Sequence, residues 1–153
     1  MMTTITDRIE KRVELRVPRA KVWQAIADSQ EFGAWFGCAL EGPFVQGALI
    51  RGRITTPGYE HLTFELFVER IEPERYLSYR WHPYAVDPAK DYSQEPTTLV
   101  EFRLEEAGDR TILTITESGF DQIPASRRDE AFRMNDGGWT AQAGNIGRYV
   151  THS

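Results

Sequence analysis

Two carboxylates stand where the hydrophobic pattern otherwise places apolar side chains. Leu113 and Ile115 share one face of a predicted strand, and Glu117 is the next residue on that face. In the C-terminal segment, Asp136 falls on a helical stripe of otherwise apolar residues. A carboxylate on an inward face could bind a hydroxyl or amine of a ligand, or act as a general base. Both residues are therefore candidates for a binding or catalytic site.

Each carboxylate also has a structural explanation. Glu117 could lie at a solvated strand end or pair with an arginine, since structural ion pairs are common for carboxylates. Asp136 could cap a second helix, if the sequence Asn-Asp-Gly-Gly at 135–138 formed a turn. In the binding interpretation, Asp136 is instead a polar anchor inside a pocket, facing Glu117 or His82.

Aromatic residues accompany the two carboxylates. Tyr79 and Trp81 alternate with Leu77 on one face of the segment YLSYRW, which is typical of a pocket wall that also orients a polar ligand group, or of plain core packing. On the C-terminal helix we expect Phe132 and Trp139 to wall the same pocket. Gln142, on that helix, is the third candidate polar contact after Glu117 and Asp136.

Other chemistries find little support. His61, His82 and His152 have no second His, Cys or carboxylate at metal-ligand spacing, so no metal is expected. His82 is a weak candidate for proton transfer, and Cys38 is a weak candidate for a nucleophile. No nucleophile elbow, phosphate-binding loop or dinucleotide-binding fingerprint is present, so no cofactor is expected.

Charge and composition restrict the partners. The 153 residues carry a net charge of −5 with a pI near 5.3, which argues against a nucleic-acid-binding protein. The one basic cluster, Arg127–Arg128, is predicted to be a solvated helix face. A single cysteine excludes an internal disulfide, and no apolar run resembles a signal peptide or a membrane span. We therefore predict a cytoplasmic protein without membrane insertion, with residues 1–7 as a flexible N-terminus and 8–153 as a single domain.

Hydrophobic periodicity gives the elements that must position these residues. Residues 8–17 alternate as a half-buried strand, with a slip near Lys11. Pro18 opens a helix, and Asp28 or Ser29 caps a second short helix that ends near Gly37. About six strands are predicted between 40 and 119, interrupted by the loop 83–96, which is expected to be a mobile rim.

The last helix carries four glycines but keeps its periodicity. Its predicted inward stripe continues through Gly137, Gly138, Gly144 and Gly147, so we expect the helix to continue or kink there rather than end. The members of that stripe are Phe132, Asp136, Trp139, Ala143, Ile146 and Val150. Strands grouped together, with helices apart, predict an α+β protein whose curved antiparallel sheet grips this helix.

The order of these segments resembles a known superfamily. The stretches VPRAKVWQAI, WF, IEPERYLSYRW, TLVEFRL, LTITESGF and GGWTAQAGNIGRYV, which together span about residues 8 to 151, are similar to START-like (SRPBCC) proteins. The closest likeness is to the bacterial branch that resembles the activator of Hsp90 ATPase homologue family. The resemblance implies a helix-grip fold with about seven strands and a cavity for an apolar molecule, but it carries over no catalytic residue. Where the family commonly has leucine, four residues after the helix tryptophan, this chain has Ala143, which predicts extra space beside Trp139.

Three functions remain open from the sequence. The leading hypothesis is binding of a small, largely apolar ligand, lipid-, aromatic- or polyketide-like, between the sheet and the C-terminal helix. A general acid–base enzyme of the cyclase or hydratase type could use the same cavity. A co-chaperone-like interaction module, with a homodimer or chaperone contact, would instead expose an apolar patch near Trp35–Phe36 or the loop 83–96.

Overall fold

Seven strands and three α-helices make up the part of the chain that the structure describes. The computed structural model describes residues 8–87 and 89–152, so the predicted flexible N-terminus at 1–7 lies outside the described residues. The strands are β1 (Arg8–Leu15), β2 (Cys38–Leu40), β3 (Leu49–Ile54), β4 (Thr63–Glu72), β5 (Tyr76–Trp81), β6 (Thr98–Ala107) and β7 (Arg110–Ser118). The helices are α1 (Arg19–Ala27), α2 (Ser29–Phe36) and α3 (Ala125–His152), with a short 3₁₀ turn at Phe120–Gln122.

All seven strands form one antiparallel sheet in the order β1-β7-β6-β5-β4-β3-β2. Strands that follow each other in the chain from β2 to β7 are also neighbours in the sheet. Tight turns at 73–75 and 108–109 join two of these pairs, and the long loop 82–97 joins β5 to β6. Strand β1 lies at the other edge and pairs with β7. One bulge interrupts the β4–β5 register between Val68 and Arg70. The predicted α+β helix-grip fold, with its curved sheet of about seven strands, is confirmed.

The first strand keeps its alternation without a slip. Its pairing with β7 is unbroken from Arg8 to Leu15. Ile9, Lys11 and Leu15 therefore share the face toward the helices, and the predicted slip near Lys11 is wrong. The long stem of lysine allows this because it can lie along an apolar surface while the ammonium reaches a polar partner.

Local sequence sets the ends of the two short helices. Asp28 caps α2 by accepting hydrogen bonds from the backbone N–H groups of Gln30 and Glu31 at 2.9 and 3.1 Å. Gly37 ends α2 in the left-handed conformation, with φ of 91°, which costs glycine nothing. The two helices thus cross the inner face of the sheet in a fixed bend, and Phe32 of α2 packs among the aromatic rings of β5 and β6.

Helix α3 runs unbroken for 28 residues through all four glycines. The predicted continuation is confirmed, and the alternative of a turn at residues 135–138 is wrong. A side chain at Gly137 or Gly138 would meet no other atom within 4 Å, so both glycines lie on an open face. The helix packs on β1 and α2, and its buried residues are Ala131, Trp139, Ile146 and Val150.

No helix within 8–87 and 89–152 combines the length and the apolar character needed to cross a membrane.

Candidate ligand site

Glu117 is completely buried on the inner face of β7. It lies directly opposite Val100 of β6 and Ile9 of β1, in a row across the sheet that continues to Tyr79 of β5. The alternation of β7 carries this row inward, because Leu113 and Ile115 precede Glu117 on the same face. The sequence-based placement of Glu117 on the inner face therefore agrees with the structure.

Four neutral side chains donate hydrogen bonds to the Glu117 carboxylate. Trp139 Nε1 donates to Oε1 at 2.8 Å, and Trp81 Nε1 donates to Oε2 at 2.7 Å. Thr98 Oγ1 donates to Oε2 at 2.5 Å, and Asn135 Nδ2 lies 2.9 Å from Oε1 and 3.2 Å from Oε2. An indole N–H can only donate, so this set of partners suits an ionised carboxylate, which only accepts.

No cation compensates this carboxylate within the described part of the chain. None of the ion pairs there includes Glu117. The two structural explanations for Glu117, a solvated strand end and a pair with arginine, are therefore both wrong. A buried charge held only by neutral dipoles is unusual, since burial of an ion is costly unless strong hydrogen bonds replace its hydration.

Asn135 of α3, and not Asp136, takes the inward role that the sequence pattern assigned to Asp136. Asn135 reaches inward to Glu117, whereas Asp136 forms an ion pair with Lys11 of β1 at 2.8 Å, with about half of the Asp136 side chain exposed. Asp136 thus ties the helix to the edge strand. The predicted stripe is correct at Trp139, Ile146 and Val150, which are buried. It is off by one position in the N-terminal half of the helix, where Asn135 and not Asp136 faces the sheet.

Aromatic rings fill the space between the sheet and the helices around Trp139. Its ring centroid lies 5.9 Å from both Trp81 and Phe102 and 6.0 Å from Phe36. Tyr79 continues the cluster, 5.3 Å from Trp81. These spacings are those of ring pairs in direct contact. The rings thus pack beside the tryptophan, where the sequence predicted an opening.

The hydroxyl group of Tyr79 is a polar atom buried inside this cluster. It has no hydrogen-bond partner among the described residues. Burial, with Glu117 and then Cys38 adding to it, raises the pKa of Tyr79 well above its ordinary value, so the group stays neutral. An unsatisfied buried hydroxyl costs free energy, which makes Tyr79 a place where the core is not optimised for stability.

A concave space of about 1020 Å³ opens at the end of the sheet next to this cluster. Its walls come from β3 and β4, from the end of β5 and from the described residues of the loop that follows β5. Phe64 and Trp81 form its inner aromatic wall, and Tyr92 of the loop faces them. Trp81 alone, among the eight residues predicted to bind ligand, lines this space. The Trp81 indole therefore connects the cavity to the buried carboxylate.

A single arginine of α3 anchors the loop beside the cavity. The Arg127 guanidinium donates to the Pro83 carbonyl at 2.8 Å and to Glu95 Oε1 at 2.8 Å, and it lies over the Tyr92 ring at 4.7 Å. Burial raises the pKa of Glu95, but hydrogen bonds and charges from Arg127 and Lys90 outweigh it and lower the pKa below its ordinary value. The prediction of a solvated Arg127 is wrong, since only 11% of its side chain is exposed.

The remaining predicted site residues lie at the edges of the cluster. Phe132 packs edge-to-face on Phe120, with centroids 5.2 Å apart. Gln142 donates to the backbone carbonyl of Phe36 at 2.8 Å, which links α3 to the end of α2. Ala143 is half-buried and does not line the open space. The structure thus brings Tyr79, Trp81, Trp139 and Glu117 together and leaves Phe132, Asp136, Gln142 and Ala143 apart from them.

The titratable groups considered for catalysis have separate partners. His82 contacts the backbone carbonyl of Glu95 at 3.1 Å, while Asp136 binds Lys11 and Glu117 binds its four donors. Burial raises the pKa of the Cys38 thiol to about 12, which removes it as a nucleophile near neutral pH. Within the described ranges, no three His, Cys, Asp or Glu side chains group to hold a metal ion.

Comparison with known proteins identifies the family. The family pattern of Activator of Hsp90 ATPase homolog 1-like proteins matches residues 16–151, most of the chain. The chain belongs to this family. No curated protein matches it.

Solved structures of family-like proteins share the fold. DynU16, a protein in the dynemicin biosynthetic locus, is 25% identical, with a TM-score of 0.72 over 95% of this chain and 47% of that chain. MLL2253 from Mesorhizobium loti is 19% identical, with a TM-score of 0.75 over 95% and 98% of the two chains. The Aha1 dimer from Colwellia psychrerythraea is 16% identical, with a TM-score of 0.64 over 88% and 89%. The chain spans about half the length of DynU16.

Proposed function

We propose that the protein binds a small, largely apolar molecule, lipid-, aromatic- or polyketide-like, in the cavity walled by Phe64 and Trp81. Family membership, together with a neighbour encoded in a biosynthetic locus, supports a role in ligand binding or in cyclase-type chemistry in general. Binding requires only the cavity, whereas catalysis also requires titratable groups that converge on it. The presence of the cavity is therefore a more direct argument for ligand binding than for catalysis.

The observation that carries this proposal is the size and wall of the open space. About 1020 Å³ is at the upper end of the range of small-molecule sites. Phe64 and Trp81 give this space an aromatic wall of the kind such sites use, beside eight charged side chains. Phe64 packs against Gly52, where any side chain would lie within 2.6 Å of the ring, so the missing side chain is what allows the ring its position. The absence of a side chain at Gly52 therefore leaves room for the Phe64 ring at the cavity wall.

Cavity-filling variants test this proposal. Ala39 is an exposed residue of β2 that lines the cavity, and Ala141 is an exposed residue of α3 that does not. We expect Ala39→Trp to weaken binding of the fluorescent apolar probe N-phenyl-1-naphthylamine at least tenfold, and Ala141→Trp to leave it within twofold. Equal affinity of both variants and the unchanged protein would place the binding elsewhere and contradict the proposal.

Native mass spectrometry identifies the natural ligand. Protein purified from its own host is expected to carry a co-purifying small molecule, and Ala39→Trp is expected to lose it. Protein that carries no small molecule from its host and binds no apolar probe would remove the support for ligand binding.

The other two hypotheses stay predictions. An acid–base enzyme needs converging groups, and Glu117, His82 and Asp136 have separate partners. An interaction module would need an exposed patch, but Trp35 is buried and donates its indole N–H to the Ala25 carbonyl at 2.8 Å. A homodimer or a chaperone contact also stays a prediction.

A further inference from the structure

The buried carboxylate lies immediately behind the cavity wall. Trp81 lines the cavity, and its indole N–H donates to Glu117 Oε2 at 2.7 Å. The negative charge is therefore separated from any occupant of the cavity by a single aromatic ring system. In a low-dielectric interior such a charge acts over a distance of several ångströms with little screening.

Exposed charges of both signs lie at the mouth of the cavity. Its lining contains four arginine or lysine side chains and four carboxylates. Arg51 pairs with a carboxylate of the lining, Glu65, whereas Arg80 and Lys90 pair with Glu69 and Glu95 outside it. The exposed charges thus also contribute to the potential inside, and Glu117 differs from them in being completely buried, where salt screens a charge least.

The aromatic wall adds to the same preference. The face of an indole ring attracts cations through its quadrupole, and a hydrogen bond from Nε1 to an anion increases the electron density of the ring. Phe64 supplies a further aromatic ring at the same wall, whereas the Tyr92 ring already has Arg127 and Lys90 over it at 4.7 and 5.1 Å. Aromatic rings beside a carboxylate are an arrangement that suits organic cations with apolar substituents.

We propose that the cavity selects an apolar cation, such as an aromatic amine or a quaternary ammonium compound, through the Glu117 carboxylate behind Trp81. This inference rests on the proposed ligand-binding function and names its ligand class. The carboxylate makes no direct contact with the ligand, because its own hydrogen bonds are complete, and it acts through the field across the indole ring.

Three aromatic probes test the charge preference, and the cation and the neutral probe among them have nearly the same shape. Phenyltrimethylammonium is a cation, tert-butylbenzene is its neutral counterpart and 4-tert-butylbenzoate is an anion. Dissociation constants come from ¹H–¹⁵N NMR titrations that follow the indole N–H resonances. We expect the cation to bind at least about tenfold more tightly than the neutral probe and the anion to bind most weakly.

Salt and substitution separate the buried charge from the charges at the cavity mouth. Preference for the cation is expected to persist at 0.5 M NaCl, because buried charges are screened much less than exposed ones. Glu117→Gln is expected to reduce the cation-to-neutral ratio to within about threefold while leaving the affinity for tert-butylbenzene within twofold. If that variant does not fold, the salt series on the unchanged protein still tests the role of Glu117. A cation preference that disappears at high salt would be due to the exposed carboxylates and would overturn the proposal.

Two tryptophan variants provide a matched pair. Trp81→Phe and Trp139→Phe each remove one indole N–H from Glu117, but only Trp81 lines the cavity. We expect the first variant to lose most of the cation preference and the second to keep it. Equal loss in both variants would show that the hydrogen bonds to Glu117, and not the position of Trp81 in the cavity wall, set the preference. That result would overturn the proposed action through Trp81.

The failures of the two proposals are distinguishable. A neutral probe that binds as tightly as the cation would overturn the charge preference and leave the proposed ligand-binding function intact. Absence of binding for the cation, the neutral probe and N-phenyl-1-naphthylamine would remove both.

Discussion

Replacing Glu117 with glutamine tests the hydrogen bonds that the four neighbouring side chains donate to its carboxylate. The substitution keeps the shape of the side chain and removes its charge. One end of the new amide is an N–H₂ group, which can only donate, and it must face the indole N–H of either Trp81 or Trp139. Whichever way the amide is oriented, one buried indole donor loses its acceptor.

The size of the effect follows from the partners of Glu117. An orphaned buried donor costs about 1–3 kcal/mol. The remaining hydrogen bonds also weaken, because bonds to an ionised acceptor are about twice as strong as neutral ones. Removing a buried charge returns part of this loss, since the charge itself is costly to desolvate. We expect a net decrease of about 2–3 kcal/mol in the free energy of unfolding, a large part of the roughly 5–15 kcal/mol that holds a domain folded.

Urea denaturation followed by tryptophan fluorescence measures this decrease. Glu105→Gln is the matched control, because Glu105 is an exposed residue of β6, and it is expected to change the free energy of unfolding by less than about 0.5 kcal/mol. An equally small change for Glu117→Gln would refute the argument. It would mean that the carboxylate is not held as an ionised acceptor by the two tryptophans.

Further predictions concern the helix and the thiol. In urea denaturation, Asn135→Ala is expected to lower the free energy of unfolding by about 1–3 kcal/mol, because it removes a donor from the buried carboxylate. Its neighbour, Asp136→Asn, breaks only a half-exposed ion pair and is expected to cost less than about 1 kcal/mol; equal costs would contradict the assigned orientations. Gly138→Ala is expected to stabilise by about 0.5–1 kcal/mol in the same assay, because the added methyl group meets open space on a helix, and a loss would indicate a hidden contact. The Cys38 thiol is expected to react with Ellman's reagent at pH 8 far more slowly in the folded than in the urea-unfolded protein, since burial raises its pKa to about 12; fast reaction when folded would contradict its burial.

Hydrophobic periodicity predicted the helices and strands because each of them buries one face against the core. The hairpin of β6 and β7 and the long α3 follow from alternation and from helical spacing, which do not depend on distant parts of the chain. The same reasoning identified Glu117, whose position on the inner face is fixed by the strand alone. Glu117 of β7 was therefore placed correctly from the sequence, whereas the slip predicted near Lys11 of β1 was wrong.

Helix side chains were harder to place, because an error of one position rotates a helical residue by about 100°. The sequence pattern assigned the inward role to Asp136, whereas Asn135 takes it. A signal was present in the printed sequence: Ala131, Asn135 and Trp139 are spaced by four residues, and Lys11 lies on the helix-facing side of β1 as a partner for Asp136. The contact between α3 and the edge strand was the missing information.

The cavity could not be located from the sequence for a different reason. Ala143 indicated missing volume beside Trp139, but Phe36 and Trp81 fill that region from other elements. Packing is decided by side chains that converge from several segments, and large residues compensate for small ones at a distance in the chain. Local volume in one helix therefore does not determine where the empty space lies.

The position of the buried carboxylate favours a role in binding over a role in stability. A core of the same size could be stabilised by apolar residues, and replacing buried ions with such residues is often neutral or stabilising. This protein instead commits two indole groups, a threonine and an asparagine from three separate elements to hold one charge that no cation of the described residues pairs with. Tyr79, with its unsatisfied hydroxyl, lies in the same row across the sheet. Costs of this kind collect at functional sites, where a protein gives up stability to maintain a field or a donor that its ligand uses. Trp81 both lines the open space and donates its indole N–H to the carboxylate, which is the arrangement expected if the field of Glu117 reaches the ligand.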